Sequence, residues 1–304
     1  MANLNGPEGK NVLGSFTENE IESFFSNFVK WNLLYRNVDV KSFLKIDDEK
    51  EENRGFDFIY ELYEPFESGN HGIIIESKKI DNTELFTKAR LSKDIDSLKH
   101  KIENASKSRE LYEDEIIRNR SINYFRYGIL CYRFREFDED NYRKILKEYK
   151  IGETKKGKHF PTIFILSNDR LSSFVYLKTN YINNLVTKYY YPYYHINPWM
   201  RWEEKLSLFY LFSDMIPFEF NDTKCLLSFD EPSLRSFEII ENFCGKYNHD
   251  LTNLILANGN YQLEHIYNRY KTSWEKRAKK EILLSCLSRD FNISTNLAGV
   301  FKHA

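Results

Sequence analysis

Residues 55–80 read GFDFIYELYEPFESGNHGIIIESKKI. Two runs rich in β-branched and aromatic residues, GFDFIYELY (55–63) and HGIIIESKKI (71–80), flank EPFESGN, which has the Pro and Gly of a turn. The pattern predicts an antiparallel hairpin. With Tyr63 paired to Asn70, antiparallel register keeps the sum of paired residue numbers at 133 and sets Asp57 opposite Glu76. Period-2 alternation puts Asp57 on a face with Ile59 and Glu61, and Glu76 on a face with Ile74 and Lys78. Two carboxylates are then expected to face each other at roughly 5 Å between β-carbons, with a lysine one step along.

Such a pair needs a reason, because unpaired carboxylates at close range repel and are costly to desolvate. A divalent cation removes that cost. Mg²⁺ takes hard oxygen ligands, uses one or two carboxylates and keeps several waters, and shares its site with substrate phosphate. Lys78 adds a compact, hydrated charge able to hold an attacking water or steady charge developing on a phosphate. Together these parts suit metal-assisted hydrolysis of a phosphodiester. The alternative is an ordinary hairpin whose Glu76 and Lys78 are solvated cross-strand partners.

Working outward, SFTENEIESFFSNFVKWN (15–32) predicts an amphipathic helix with Ile21, Phe24, Phe25 and Phe28 on one face. Ser15 with Glu18, and Thr17 with Glu20, both fit a capping box. NLLYRNVDVKSFL (32–44) predicts a strand, or two short ones, and KIDDEKEENR (45–54) a solvated loop. After the hairpin, residues 81–116 predict a long helix, with Asp81 and Glu84 as its start signal. Residues 124–134 and 160–168 predict strands, with helices over 138–150 and 169–190. YYYPYYHINPW (189–199) reads as a junction, which places a domain boundary near residue 195. The expected organisation is therefore a catalytic domain over 1–195 and a mainly helical region over 196–304 serving partner or substrate binding. Within the latter, KCLLSFD (224–230) predicts a strand and residues 262–287 a long basic helix.

Several function classes are excluded. A formal net charge of −1 over 304 residues argues against a nonspecific electrostatic nucleic-acid binder. The distribution is uneven: residues 1–82 carry 16 acids and 9 bases, residues 83–160 carry 14 and 19. An acidic segment followed by a basic one is compatible with a metal site beside a phosphate-binding surface, and equally with chance. No apolar run reaches the roughly 18 residues of a membrane helix, and residues 1–20 have no apolar signal core. Cys131, Cys225, Cys244 and Cys286 lie far apart with no metal-binding spacing, which reads as free thiols in a reducing cytoplasm. No phosphate-binding Walker loop, dinucleotide fingerprint or GxSxG elbow is present.

A helix, a strand, GFD, then IIIESK closing an apolar strand before a long helix and another strand resembles the PD-(D/E)xK nuclease superfamily over roughly residues 15–135. Gly55-Phe56 stands where the motif name has Pro, and GxD is a common variant. The resemblance implies an α/β (α+β) restriction-endonuclease-like fold, a mixed sheet flanked by helices. It further implies that Asp57 and Glu76 ligate Mg²⁺ (or Mn²⁺ in its place), that Ser77 adds its main-chain carbonyl, and that Lys78 orients or activates water. A glutamate of the first helix often completes such a site. Glu18, Glu20 and Glu22 are available, and Glu18 lies closest to the apolar face. Lys88, Arg90 and Lys93 follow the motif where related nucleases place phosphate contacts, although a solvated helix face accounts for most such residues. The substrate implied is DNA, with RNA cleavage or a non-catalytic nucleic-acid or partner-binding module as alternatives. The chain is similar to nuclease subunits of bacterial anti-phage defence systems, and its weak overall charge points to substrate capture through a second protein subunit or an oligomer.

Overall fold

The computed structural model describes residues 18–41, 53–149, 161–180, 182, 187–192, 200–247, 250–258, 268, 271–272, 275, 282–287 and 297–301. The chain divides into two compact units, Met1–Ser172 with Phe291–Lys302, and Ser173–Asp290 with His303–Ala304.

The first unit is a five-stranded sheet ordered β1-β2-β3-β4-β5. Its strands are β1 (Asn32–Lys41), β2 (Asn53–Leu62), β3 (Asn70–Asn82), β4 (Ile122–Glu136) and β5 (Thr162–Leu166). The first three form an antiparallel meander, and β4 and β5 add in parallel. The expected hairpin register is the observed one: β2 meets β3 through Leu62↔His71 to Phe58↔Ile75, each pair summing to 133.

Helix α1 (residues 18–28) ends in a wide π turn, Phe24–Phe28, closed by the Val29 N–H on the Phe24 carbonyl at 3.0 Å. Ile21, Phe24, Phe25 and Phe28 are buried, as their spacing predicts. Phe25 packs on Tyr60, whose hydroxyl lies 3.2 Å from Ser26 Oγ. On the other sheet face, α2 (Lys88–Ala105) lays Leu91, Leu98 and Ile102 against Ile59, Ile74 and Leu130. With both faces covered, Ile73, Ile74 and Ile75 are all fully buried, which is why this strand reads as a continuous apolar run rather than an alternating one. Each such side chain contributes about 1.5–3 kcal/mol relative to leaving it exposed.

Gly128 sets the approach of α2 to β4. A β-carbon there would stand 2.7 Å from Ile102 Cδ1 and 2.9 Å from Leu98 Cδ2. Gly128→Val is therefore expected to lower stability by about 1–3 kcal/mol through overpacking, read as a fall in the urea midpoint of unfolding.

The long helix expected over 81–116 is broken. β3 runs on to Asn82 because it stays paired with β4 as far as Asn82↔Glu136. A single 3₁₀ turn, Thr83–Leu85, follows, and α2 starts only after Thr87, whose side chain accepts from the Arg90 N–H. Two short helices, α3 (Arg109–Glu113) and α4 (Glu115–Asn119), replace the last turns; Asp114 between them caps Ile116. Helix α5 (Glu139–Glu148) lies where predicted, capped by Asp138.

The second unit overturns the expectation of a mainly helical region. Its described strands form a six-stranded sheet ordered β11-β10-β9-β8-β6-β7. They are β6 (Lys188–Pro192), β7 (Met200–Glu203), β8 (Met215–Phe220), β9 (Thr223–Ser228), β10 (Asn253–Leu256) and β11 (Leu283–Cys286). β9, β10 and β11 are parallel and the other pairings antiparallel. The misreading has a physical cause: runs of four to six apolar residues carry too little periodicity to separate a strand from a buried helix segment. Leu283–Cys286 was expected to end a helix and instead pairs with β10. Lys188–Tyr190 was expected to end another and instead opens β6, with Tyr189 and Tyr191 inward. Tyr191 stacks on Tyr210 at 4.6 Å and its hydroxyl accepts from the Ser207 N–H, so these tyrosines are packing elements. The division at Ser172/Ser173 precedes the expected boundary at 195, because α6 (Asn168–Asn180) crosses it and β6 already belongs to the second sheet. Helix α7 (Leu234–Lys246) packs Phe237 and Ile240 on Leu226 and Leu254. No helix among the described residues is long and apolar enough to cross a membrane. The basic segment 155–158 and most of 262–281 lie outside the described residues.

Candidate active site

The regular β2–β3 ladder stops at Phe58↔Ile75, and at the next position side chains take over from backbone. Asp57 Oδ2 accepts the Ser77 N–H at 2.7 Å, and the Asp57 N–H lies 3.5 Å from Glu76 Oε1. Along its other edge β3 keeps pairing with β4, Glu76 with Leu130, Ser77 with Cys131 and Lys78 with Tyr132. Asp57 and Glu76 are thus brought together as the register predicts, at the point where the hairpin pairing ends.

Glu76 is 2 % exposed. A carboxylate that deep requires compensating charge, and two lysines supply it. Lys78 Nζ lies 3.3 Å from Oε2 and Lys101 Nζ 2.7 Å from Oε1. Burial pulls the Lys78 ammonium's pKa down, but Glu76 and Asp57 outweigh burial, with a further contribution from Asp94, and hold it above the usual lysine value. In this state Lys78 is a cation and a hydrogen-bond donor.

Lys101 and Asp94 escaped the sequence reading. Both stand on α2, Asp94 three residues after Leu91 and Lys101 three after Leu98, on the stripe that packs against the sheet. Charged residues at apolar-stripe positions of an amphipathic helix are the signal that could have found them. Asp94 Oδ2 accepts from the Tyr132 hydroxyl at 2.8 Å and lies 4.0 Å from Arg90 Nε. Arg90 is therefore committed to Asp94, while Lys88 and Lys93 on the same helix are exposed.

Glu18 is not brought to the pair. Its Oε2 is 3.1 Å from Asn37 Nδ2 and 3.6 Å from Arg36 Nη2, and Glu22, one turn on, pairs with Arg36 at 2.6 Å. Arg36 stands on β1 across from Phe58 and draws both glutamates to itself. Glu20 is the buried one, 3.6 Å from Arg133 Nε. His71, at the start of β3 beside the turn, is 6 % exposed, with its ring near those of Tyr124 and Tyr127.

The donor set fits a hard divalent cation. The carboxylates of Asp57 and Glu76 both act on Lys78, and the two ammonium groups on Glu76 stand in for cationic charge. Among the described residues no cluster of three or more His, Cys, Asp or Glu side chains forms a metal cage, and a two-carboxylate site completed by water and phosphate is the pattern of Mg²⁺.

Comparison with known families gives one finding. The model of the GAPS4 protein PD-(D/E)XK nuclease domain matches residues 7–170, more than half of the chain. No curated protein and no solved structure matches.

Proposed function

We propose, since this chain belongs to the GAPS4 PD-(D/E)XK nuclease family found in anti-phage defence systems, that it is a Mg²⁺-dependent nuclease hydrolysing DNA phosphodiester bonds in the cytoplasm as a defence effector. The observation that carries this reading is the gathering of Asp57 and Lys78 around the buried Glu76 carboxylate where the β2–β3 pairing ends. In this reading Asp57 and Glu76 hold the cation, with the main-chain carbonyl of Ser77 beside them. The bound ion supplies Lewis-acid stabilisation of charge on the phosphate and acidifies water. Lys78, whose ammonium lies 3.3 Å from Glu76 Oε2, orients the attacking water and donates to the phosphate as charge develops. Lys88 and Lys93, exposed on α2, contact the DNA backbone, and Arg90 supports them from its pairing with Asp94. A net charge of −1 supplies little attraction for DNA, so a second polypeptide or a second copy of the chain completes substrate capture.

A second reading, a non-catalytic binding module on the same fold, is favoured by one observation: both Glu76 oxygens already carry lysine ammonium groups. Incubating the full chain with supercoiled plasmid, linear duplex DNA and structured RNA, with Mg²⁺, with Mn²⁺ and with chelator, separates the two. Divalent-dependent nicking or linearisation of the plasmid, with RNA left intact, is the expected result. Preferential RNA cleavage reassigns the substrate. No cleavage of any substrate, with no divalent binding at Glu76, gives the binding-module reading.

A further inference from the structure

We propose that Lys101 gates the metal site: its ammonium holds the Glu76 oxygen that a divalent cation needs, and the cation binds only by expelling it. The inference rests on Asp57 and Glu76 being the metal-holding pair.

Four observations support it. Lys101 follows Leu98 by three residues and precedes Ile102 by one, and both of these are buried, so the lysine leaves α2 from its packed face. Its side chain is only 15 % exposed, against 31 % for Lys78. Its Nζ is the closer of the two ammonium groups to Glu76, at 2.7 Å against 3.3 Å. The oxygen it holds, Oε1, is the one that the Asp57 N–H faces at 3.5 Å, and Nζ lies 5.9 Å from the ring of Phe56, the residue before Asp57.

The ammonium therefore sits on the Glu76 oxygen nearer the Asp57 backbone, the oxygen that a cation shared by the two residues is expected to use. A divalent cation coordinating Oε1 at about 2.1 Å and an ammonium on the same oxygen repel each other strongly in a site shielded from water. The flexible four-carbon stem of lysine lets the head swing outward while the stem stays on apolar surface. Lys78, on the other oxygen, need not move. A lysine that merely supported the fold would weaken metal binding when removed; a gate has the opposite sign.

The test is Mn²⁺ affinity, measured by calorimetry on the full chain without nucleic acid, for wild type, Lys101→Met, Asp57→Asn and Glu76→Gln. Lys101→Met is expected to bind Mn²⁺ at least tenfold more tightly than wild type, and the two carboxylate variants to lose the site. Equal or weaker binding by Lys101→Met, with Glu76-dependent binding intact in wild type, overturns the gate and leaves the metal pair standing. Absence of Glu76-dependent binding in both wild type and Lys101→Met overturns gate and metal pair together. Because a buried methionine can disturb folding, wild type is also footprinted with a lysine-acylating reagent and mass spectrometry. Labelling of Lys101 is expected to rise severalfold on saturation with Mn²⁺, with no rise in Asp57→Asn. Unchanged labelling while Mn²⁺ occupies the Glu76 site overturns the proposal.

Discussion

Glu76→Gln is expected to lower plasmid cleavage at least about 10³-fold, the several kcal/mol that a bound cation contributes to the transition state, and to abolish divalent binding. The amide keeps the side chain's shape and an acceptor for one lysine, but removes the negative charge that a hard cation requires. Because the amide also leaves the Lys78 and Lys101 ammonium groups without their counter-charge, the urea midpoint measured beside the rate separates chemistry from folding. Lys78→Ala is the companion. Its ammonium donates to Glu76 from a more exposed position, so its removal is expected to cost about 10²–10³-fold in rate with metal affinity little changed. Single-turnover cleavage beside a Mn²⁺ titration reads both. Wild-type rates in Glu76→Gln would remove this site from the chemistry altogether.

Phe86→Ala carries the largest expected effect on stability, a loss of about 3–5 kcal/mol. Phe86 is fully buried in the short connection between β3 and α2. Its ring lies 4.9 Å from Tyr132, 5.4 Å from Phe134 and 5.4 Å from Tyr142. It thus ties the end of the β3 connection to β4 and α5 just before α2 begins, the helix that carries Asp94 and Lys101 to the site. Truncation leaves a cavity between rigid aromatic rings that have little freedom to collapse into it. Hydrogen exchange of the β3 and β4 amides isolates this unit from the second one, and faster exchange there is the expected signature. A loss below about 1 kcal/mol would mean that the neighbouring rings close over the gap.

The hairpin was legible because three local signals agreed: turn residues at 64–70, β-branched and aromatic runs on either side, and a register fixed by the loop. That agreement placed Asp57 and Glu76 together before any tertiary contact was known. Glu18 was misplaced because its choice rested on helical position alone, and nothing local announces that Arg36 on β1 takes both Glu18 and Glu22. The second sheet was illegible for a different reason. β10 and β11 are four residues each, and their state depends on the parallel partners that complete their backbone hydrogen bonds.

By itself, then, the sequence determined the β2–β3 pairing, the acidic pair it creates and the lysine beside it, because these depend on period-2 alternation and the length of one turn. Only the tertiary structure decided how Glu76 is neutralised. Lys101 lies 25 residues away on a helix, and which face of α2 meets the sheet is set by close packing at Gly128 and around Phe86. Side chains that meet through packing leave no mark in sequence spacing beyond a charge on an apolar stripe, and the energy that selects them, the cost of burying an unpaired carboxylate, exists only once the fold has closed over it.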